Sequence, residues 1–299
     1  MNGKLRMFLC HSSFIILLTS ILTTFSFAQT STNSGQSAIT SESAHNTTPP
    51  TQTSQSVCSK PLIVAWTHYP PFQISPVNFK KSKLPTGVEI DLLSEISKKT
   101  GCTFLYQDIP FTRQSVDLKA GMIDLVFSGE KDATTEAYAY FSNPYRNETI
   151  HLFVRKNETL KYQLTNLSDI KNTSIVFGVK RGFYYGPEFI KLSSEEWFNA
   201  HIEQNVQSIM NLKKLVYGRI DGVFLEPVVE RELEKNSQYV SLITMHPFIL
   251  YQGPVQILFN KKNVDPKIVA AFNTALDNLQ KEGKIKAILE KYKVIDNEH

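Results

Sequence analysis

The sequence lacks the short motifs that mark common enzyme classes. It contains no P-loop, no dinucleotide-binding glycine fingerprint and no nucleophile elbow. Its histidines are scattered and do not show the spacing of metal ligands. We therefore expect no catalytic residues, no cofactor and no metal ion.

The chain also has little excess charge and no long apolar run beyond its first 28 residues. It carries 32 basic and 28 acidic side chains, a formal net charge of +4. Without Lys4 and Arg6 the remainder is near +2, whereas a nucleic-acid-binding protein concentrates basic residues on one face. We therefore expect no nucleic-acid partner and no membrane-spanning helix in this part of the chain.

The N-terminus has the composition of a secretory signal. Residues 1–28 begin with Lys4 and Arg6, continue with a largely apolar stretch, and end on the small residues of Ser26-Phe27-Ala28. Serine and threonine interrupt the apolar stretch, which favours a cleaved signal over a retained anchor. Residues 29–57 are rich in Ser, Thr and Gln, so we expect a disordered linker. A periplasmic location follows from this interpretation.

From residue 58 onward, predicted strands and helices alternate. Short apolar strands are predicted at Leu62–Trp66, Thr103–Gln107 and Leu125–Phe127. Helical spacing separates them at Val88–Lys99 and Thr112–Ala120, each ended by a glycine. This order predicts an α/β fold with a parallel sheet and right-handed crossovers.

A second unit repeats the alternation. Its predicted strands are Ser174–Val179, Gly222–Leu225, Val240–Ile243 and Val255–Asn260, and its predicted helices are Val206–Tyr217, Val228–Glu234, Pro266–Glu282 and Lys284–Lys291. The pattern alone does not say how the two units are joined.

Two of the three cysteines follow the predicted signal, Cys58 and Cys102. An even pair in an oxidising compartment favours a disulfide, with two buried free thiols as the alternative. Each cysteine precedes a predicted strand. If those strands are parallel neighbours, both sulfur atoms lie at the same edge of the sheet.

Four short motifs follow one another in a characteristic order. They are Tyr69-Pro70-Pro71-Phe72, then Gly87-Val88-Glu89-Ile90-Asp91-Leu92, then Gly121-Met122-Ile123-Asp124-Leu125 with Phe141-Ser142-Asn143-Pro144-Tyr145, and last Gly218-Arg219-Ile220-Asp221-Gly222-Val223 with Glu226. In this order, over about Leu62 to Lys293, the sequence resembles bacterial extracellular solute-binding proteins of family 3. That family contains the polar amino-acid-binding proteins of ABC importers.

The resemblance implies the two-lobed type II periplasmic-binding-protein fold. Each lobe would be a mainly parallel sheet flanked by helices, with lobe 1 at 58–152 and 250–299 and lobe 2 at 153–249. Two crossing strands would join them near His151–Arg155 and Phe248–Pro254. Ligands bind beyond the carboxyl ends of parallel strands, so the site would lie between the lobes and be buried by closure.

The resemblance places ligand contacts after the strands of lobe 1. Tyr69 and Phe72 follow the first strand, where family members put an aromatic ring against the ligand. Both could instead pack in the core around the Pro-Pro turn. Ser128 and Glu130 follow the third strand, where the family holds the ligand's polar head, although Glu130 could simply be solvated.

One departure concerns the arginine that grips the ligand carboxylate in amino-acid binders of this family. It would precede the Phe-Ser-x-Pro-Tyr motif, yet no arginine lies between Ser128 and Tyr145. A bidentate guanidinium–carboxylate pair is hard to replace with neutral groups. Arg113 and Arg181 are the candidate replacements, and each could instead form an ordinary salt bridge.

Lobe 2 contributes further candidates. Phe183, Tyr184 and Tyr185 follow Arg181 in a loop where the family has small hydroxyl residues, so a more aromatic pocket is expected, with Tyr184 as a ligand contact. Glu226 stands where many members have an aspartate for the ligand's ammonium. Alternatively, Glu226 suits the positive end of the following helix.

The sequence thus predicts an exported, monomeric protein that captures an amino acid, or a related small zwitterion or anion, for an ABC importer. Its expected partners are the small ligand and either an ABC permease or a membrane receptor. A periplasmic sensor using the same closure is the first alternative. A dehydratase or lyase of the cyclohexadienyl dehydratase kind, with Glu130 or Glu226 as proton carrier, is the second.

Overall fold

The structure is a computed structural model that describes residues 56–76, 84–128, 131, 133–235 and 238–295. The predicted signal and nearly all of the predicted linker lie outside these residues. In the part that is described, no helix has the length and apolar character needed to cross a membrane.

The first group of elements forms a parallel sheet with crossover helices. It comprises β1 (Leu62–Trp66), α1 (Val88–Thr100), β2 (Phe104–Asp108), α2 (Phe111–Ala120) and β3 (Leu125–Ser128). The central strand β1 pairs in parallel with both β2 and β3. Each of these elements agrees with its sequence prediction to within one residue.

Helix α1 shows why these predictions succeed. Leu92, Leu93 and Ile96 are buried on one side of the helix, as their spacing requires. The helix ends at Gly101, whose φ of 72° lies in the left-handed region and whose N–H donates to the Ser97 carbonyl. A glycine adopts this conformation without steric cost, which makes it a reliable stop signal.

Three elements lie between the first group and a second group of parallel strands. Helix α3 (Ala133–Glu136) and strand β4 (Ala139–Phe141) precede the longer strand β5 (Arg146–Arg155). The elements that follow are β6 (Phe177–Lys180), α4 (Pro187–Leu192), α5 (Glu196–Asn199), β7 (Ile202–Asn205), α6 (Ser208–Val216), β8 (Gly222–Leu225) and α7 (Pro227–Glu234), with 3-10 turns at Thr159–Lys161 and Leu167–Ile170. Strand β6 pairs in parallel with β7 and β8.

The last elements return to the first group. They are β9 (Ile243–Asn260), α8 (Pro266–Lys281) and α9 (Lys284–Lys291). The strand predicted at Val240–Ile243 was wrong for its first three residues, which form a 3-10 turn. The strand predicted at Val255–Asn260 is only the end of the 18-residue strand β9.

Strands β5 and β9 join the two groups. They pair antiparallel along nearly the whole of β5, and β9 also pairs with β3 and β4 through its last residues. At His151–Phe153, β5 additionally pairs with β8. Eight of the nine described strands therefore form one hydrogen-bonded path, β2-β1-β3-β9-β5-β8-β6-β7, while β4 pairs with β9 off this path. The path is continuous only through the crossing strands β5 and β9.

Below, lobe 1 denotes β1–β4 with α1–α3, α8 and α9, and lobe 2 denotes β6–β8 with α4–α7. The residue limits 58–152, 153–249 and 250–299 stay a prediction. Cys58 and Cys102 form the predicted disulfide, with their Cα atoms 5.1 Å apart, at the edge where β1 and β2 begin.

Candidate functional site

The carboxyl ends of the parallel strands in the two lobes meet through aromatic side chains. Tyr69, in the loop after β1, has its ring centroid 5.5 Å from that of Phe183, in the loop after β6. Phe111, at the start of α2, lies 6.2 Å from the same Phe183 ring. The loops that follow β1 and β6 thus face each other across a cleft.

Gly182 allows this close approach. Its φ is +79°, and a Cβ atom built there would lie 2.8 Å from the backbone nitrogen of Thr112 in α2. Any side chain would therefore meet backbone of the opposite lobe as well as left-handed strain. Glycine at this position lets the 180–185 loop touch lobe 1.

A buried ion pair lies beneath the aromatic contact. Nη1 of Arg146, at the start of β5, donates to Oε1 of Glu226, after β8, over 2.7 Å, and both side chains are 4% exposed. The guanidinium also lies 3.9 Å from the ring centre of Phe72, which is fully buried. Arg146 Nε has no hydrogen-bond partner among the described residues.

Two further carboxyl groups surround this pair. Glu148 Oε2, also on β5, is 3.8 Å from Arg146 Nη2. Glu89, on α1, accepts hydrogen bonds from the Tyr145 hydroxyl over 2.7 Å and from Gln73 Nε2 over 2.5 Å. We call Arg146, Glu148, Glu226 and Glu89 the buried charge cluster. It contains three carboxyl groups for one guanidinium.

Two carboxyl groups of the cluster have raised pKa values. Burial, and then the charge of Glu226, raises the pKa of Glu148 to about 8. Burial also raises the pKa of Glu89, against the opposing effects of Arg146 and of its two hydrogen bonds. Burial thus shifts both carboxyl groups toward their protonated form, and an approaching cation would shift them back toward the charged form.

A smaller cavity of about 110 Å³ opens onto this cluster. Glu89, Arg146 and Glu148 line it on the polar side. Its aromatic wall contains Tyr69, Phe111, Tyr138, Phe183 and Tyr184. The arrangement combines an acidic lining with ring faces, which suits the cationic group of a small organic molecule.

A larger cavity of about 560 Å³ lies on the other side of Tyr69 and Phe111. These two rings line both cavities. Lys180, at the end of β6, lines the larger cavity, with its Nζ 4.2 Å from the Tyr69 ring centre and 4.3 Å from that of Phe111. Tyr69 and Phe111 are thus shared by two cavities with different polar linings.

A comparison with known protein families matches residues 62–294 to the bacterial extracellular solute-binding proteins, family 3. The chain belongs to that family. The family model spans both groups of parallel strands and the crossing strands. The resemblance drawn from the four sequence motifs is confirmed, as is the type II periplasmic-binding-protein fold.

Individual relatives are distant. The chain is 22% identical over 218 residues to the arginine-binding extracellular protein ArtP of Bacillus subtilis, covering 73% of this chain and 81% of ArtP. It is 25% identical over 234 residues to the L-cystine-binding protein TcyJ of Escherichia coli strain K12, covering 75% and 79%. The crystal structure of a mutant of ArgBP from T. maritima superposes with a TM-score of 0.63 at 22% identity, covering 79% and 95%.

Only some of the contact residues predicted for this family 3 protein line one of the two cavities. Tyr69 lines both cavities, Tyr184 lines the smaller one and Arg181 lines the larger one. Phe72 and Glu226 line neither cavity, since Phe72 lies under Arg146 and the Glu226 carboxylate is held by the same guanidinium.

The remaining predicted residues lie elsewhere. The Arg113 side chain is 66% exposed, forms an ion pair with Asp117 over 3.2 Å and lines neither cavity. Ser128 ends β3, but its side chain and the whole of Glu130 lie outside the described residues.

Sequence reasoning missed four charged residues of the cleft, namely Glu89, Arg146, Glu148 and Lys180. A signal existed for two of them. Arg146 and Glu148 are two residues apart, and alternate residues of a strand point to the same face. Ligand contacts were predicted after strands, whereas these two residues lie within crossing strand β5.

Proposed function

We propose that this family 3 protein binds a small solute that carries an amino group. The solute is captured in the periplasm, between the two lobes, and is delivered to an ABC importer. Its family membership supports solute capture. The relatives named as arginine- and cystine-binding proteins support an amino-acid-like solute. The N-terminal composition supports export, and a cleft built within one chain supports action as a monomer.

The observation that carries this proposal is the under-compensated carboxyl group of Glu148. Arg146 lies closer to Glu226, at 2.7 Å, than to Glu148, at 3.8 Å. Glu148 is buried and lines the smaller cavity. A solute ammonium placed there would balance its charge in a setting of low dielectric, where charge pairing is strong.

Capture would proceed by closure. With the lobes apart, Tyr69 presents its ring to the solute from lobe 1. The 180–185 loop then approaches with Phe183 and Tyr184, which excludes water from the smaller cavity. Binding energy therefore includes the cost of closing the lobes as well as the contacts made.

The geometry favours binding over catalysis. Glu226, one of the two predicted proton carriers, is held by Arg146, so its carboxylate already has a fixed partner. A group that shuttles protons needs to reach the reacting atom. The Glu226 carboxylate lines neither cavity, and a dehydratase role for it therefore has no support.

The experiment is an isothermal titration screen with the twenty L-amino acids, agmatine and histamine. We expect at least one probe to bind with micromolar affinity or better. Glu148→Gln should weaken it by roughly 10- to 100-fold, because a charge-assisted hydrogen bond is worth about 1.5–3 kcal/mol. The exposed Glu195→Gln variant is the matched control and should bind as the unaltered protein does.

The pH dependence supplies a second readout. An ammonium beside Glu148 lowers the pKa of that carboxyl group from about 8, so binding below pH 8 releases a proton. Affinity for agmatine should then fall as the pH drops below 8, by at most about tenfold per pH unit. Glu148→Gln should remove this slope. Absence of binding by every probe would refute the proposed function.

A further inference from the structure

The larger cavity contains a lysine that no acid of the described residues neutralises. The Nζ of Lys180 lies 4.2 Å from the ring centre of Tyr69 and 4.3 Å from that of Phe111. A ring face holds an ammonium less strongly than a carboxylate does. Burial lowers the pKa of Lys180 to about 7. About half of the molecules therefore carry a neutral amine there at neutral pH.

A neutral lysine amine is a nucleophile toward carbonyl carbon, and desolvation in an apolar pocket is one way in which proteins activate it. The lone pair of the amine adds to the carbonyl carbon of an aldehyde and forms a C–N bond. The carbonyl oxygen then leaves as water with both hydrogens of the amine, and a C=N bond remains. The step is balanced by the amine and the aldehyde alone.

The cavity has room for an aromatic aldehyde. Its volume is about 560 Å³, and Ile209, Val229 and Leu233 contribute apolar surface from α6 and α7. Tyr69 and Phe111, the rings next to the amine, line the same space. A flat apolar ring packs well against aromatic side chains in such a lining.

The charged groups of the lining favour an anionic group on that aldehyde. Arg181 lines the cavity next to Lys180 in sequence, and its guanidinium stays protonated. Glu232, the acid in this lining, already forms an ion pair with Lys235 over 2.5 Å. An anion in the cavity can therefore pair with Arg181 without displacing an acid from it.

We propose that the larger cavity is a covalent binding site, in which Lys180 forms an imine with an aromatic aldehyde whose anionic group pairs with Arg181. The ring of the aldehyde packs against Tyr69 and Phe111. The inference does not rest on the proposed function, because the amino group of the captured solute is assigned to Glu148 in the smaller cavity. It gives the protein a second class of ligand, held by a bond that hydrolysis reverses.

The test traps the imine by reduction. The probes are meta- and para-formylbenzoate, with benzaldehyde as the probe that lacks the anion, each in the presence of sodium cyanoborohydride. Hydride transfer to the imine carbon and proton uptake at nitrogen convert the imine into a stable secondary amine. Peptide mapping by mass spectrometry locates the label, which also separates Lys180 from the N-terminal amine, a group that is partly neutral at this pH.

The variants separate the two proposed roles. Lys180→Met removes the amine, and the exposed Lys60→Met is its matched control. Arg181→Met removes the partner of the anion, and the exposed Arg219→Met is its matched control. Methionine is unbranched and apolar, so it can rest on the same rings, and thermal unfolding checks that each variant keeps the fold.

At pH 7 we expect at least one formylbenzoate to label Lys180 roughly 10- to 100-fold faster than the exposed lysines. An exposed lysine is almost wholly protonated at this pH, although a less basic amine is also a weaker nucleophile. Lys180→Met should lose this fast labelling, and Lys60→Met should keep it. Labelling of Lys180 no faster than that of the exposed lysines overturns the inference.

The anion should matter as well. We expect a formylbenzoate to label Lys180 roughly threefold or more faster than benzaldehyde, a modest factor because Arg181 is exposed. Arg181→Met should remove this preference, and Arg219→Met should keep it. Equal labelling by benzaldehyde, or a preference that survives Arg181→Met, overturns the assignment. The titration screen with amines decides the proposed function separately.

The pH dependence identifies the reacting amine. Lys180 gains little neutral amine above about pH 8, whereas an exposed lysine gains about tenfold per pH unit up to about pH 10. The ratio of label at Lys180 to label at the exposed lysines cancels the pH dependence of the reagents. This ratio should fall by roughly tenfold per unit between about pH 8 and pH 10.

The titratable neighbours of Lys180 do not produce such a change. Burial and the charge of Lys180 lower the pKa of His68, although Asp108 opposes them. Burial raises the pKa of Tyr69 and of Tyr185. These groups therefore titrate outside the range from about pH 8 to pH 10.

The remaining charged groups of the lining are constant in this range, since Arg181 stays protonated and Glu232 is held by Lys235. A fall in the labelling ratio thus reports the amine of Lys180 itself. A ratio that stays constant from about pH 8 to pH 10 contradicts the proposed neutral amine and with it the covalent site.

Discussion

Arg146 is the residue on which the interior of the cleft depends. Its guanidinium is buried against Phe72, and Glu226 is its nearest carboxylate. Removing one partner of a buried ion pair leaves the other charge uncompensated, which costs more than the pair contributes. Glu226 therefore has a structural role that the sequence did not reveal.

We expect Glu226→Gln to lower the free energy of unfolding by about 3 kcal/mol, because Arg146 stays buried with only the more distant Glu148 opposite it. Urea unfolding followed by circular dichroism measures the change. Exposed Glu195→Gln should change the unfolding free energy by less than about 0.5 kcal/mol. A loss for Glu226→Gln no larger than for this control would show that the buried pair is not important for stability.

Among single residues, the sequence predicted part of the lining of the two cavities. Tyr69, Tyr184 and Arg181 could be found because they follow strands whose carboxyl ends meet at the cleft. Arg146 and Glu148 could not be found in that way, because they lie within a strand. Lys180 directly follows the predicted strand Ser174–Val179, but the sequence alone does not distinguish it from its basic neighbour Arg181.

Among the elements, the short apolar strands and amphipathic helices were predictable, since burial on one face imposes their spacing. Strand β7 was missed because its sequence Ile-Glu-Gln-Asn is polar, as an edge strand allows. The residue pattern alone predicted only the end of β9, because Pro247, Gly253 and Pro254 interrupt the strand, and its middle was expected only from the family resemblance, near Phe248–Pro254. Its pairing with β5 maintains the strand across these residues, and that pairing depends on tertiary structure.

The loop after β6 provides the prediction at this scale. Gly182→Ala should lower the affinity for the tightest-binding amino acid by about tenfold or more, because the added Cβ would lie 2.8 Å from the Thr112 nitrogen and hold the lobes apart. Isothermal titration measures the affinity, and small-angle scattering with the amino acid bound should show a larger radius of gyration.

Gly218→Ala is the matched control. Gly218 has a φ of +69°, yet nothing lies within 4 Å of a Cβ built there. Both variants should lose roughly 1–2 kcal/mol of stability from left-handed strain. Only Gly182→Ala should lose affinity. Equal affinities for the two variants would mean that contact between this loop and α2 is not needed for binding.

In the whole molecule, two groups of parallel strands are joined by β5 and β9, and the strand ends of both groups face one cleft. The buried charge cluster includes Arg146 and Glu148 of β5, so a strand that joins the lobes also carries the acid that we propose for the solute. The disulfide lies at the edge where β1 and β2 begin, away from the carboxyl ends that form the site. The disulfide and the proposed binding site thus lie at opposite ends of the sheet in lobe 1.

The most direct test of solute capture between the lobes is a crystal structure of the protein with the amino acid that binds most tightly in the titration screen. We predict that the amino acid is enclosed between Tyr69 and the 180–185 loop, with its amino nitrogen hydrogen-bonded to Glu148. An amino acid found outside this cleft, or one inside it whose amino nitrogen makes no contact with the buried charge cluster, would contradict the account.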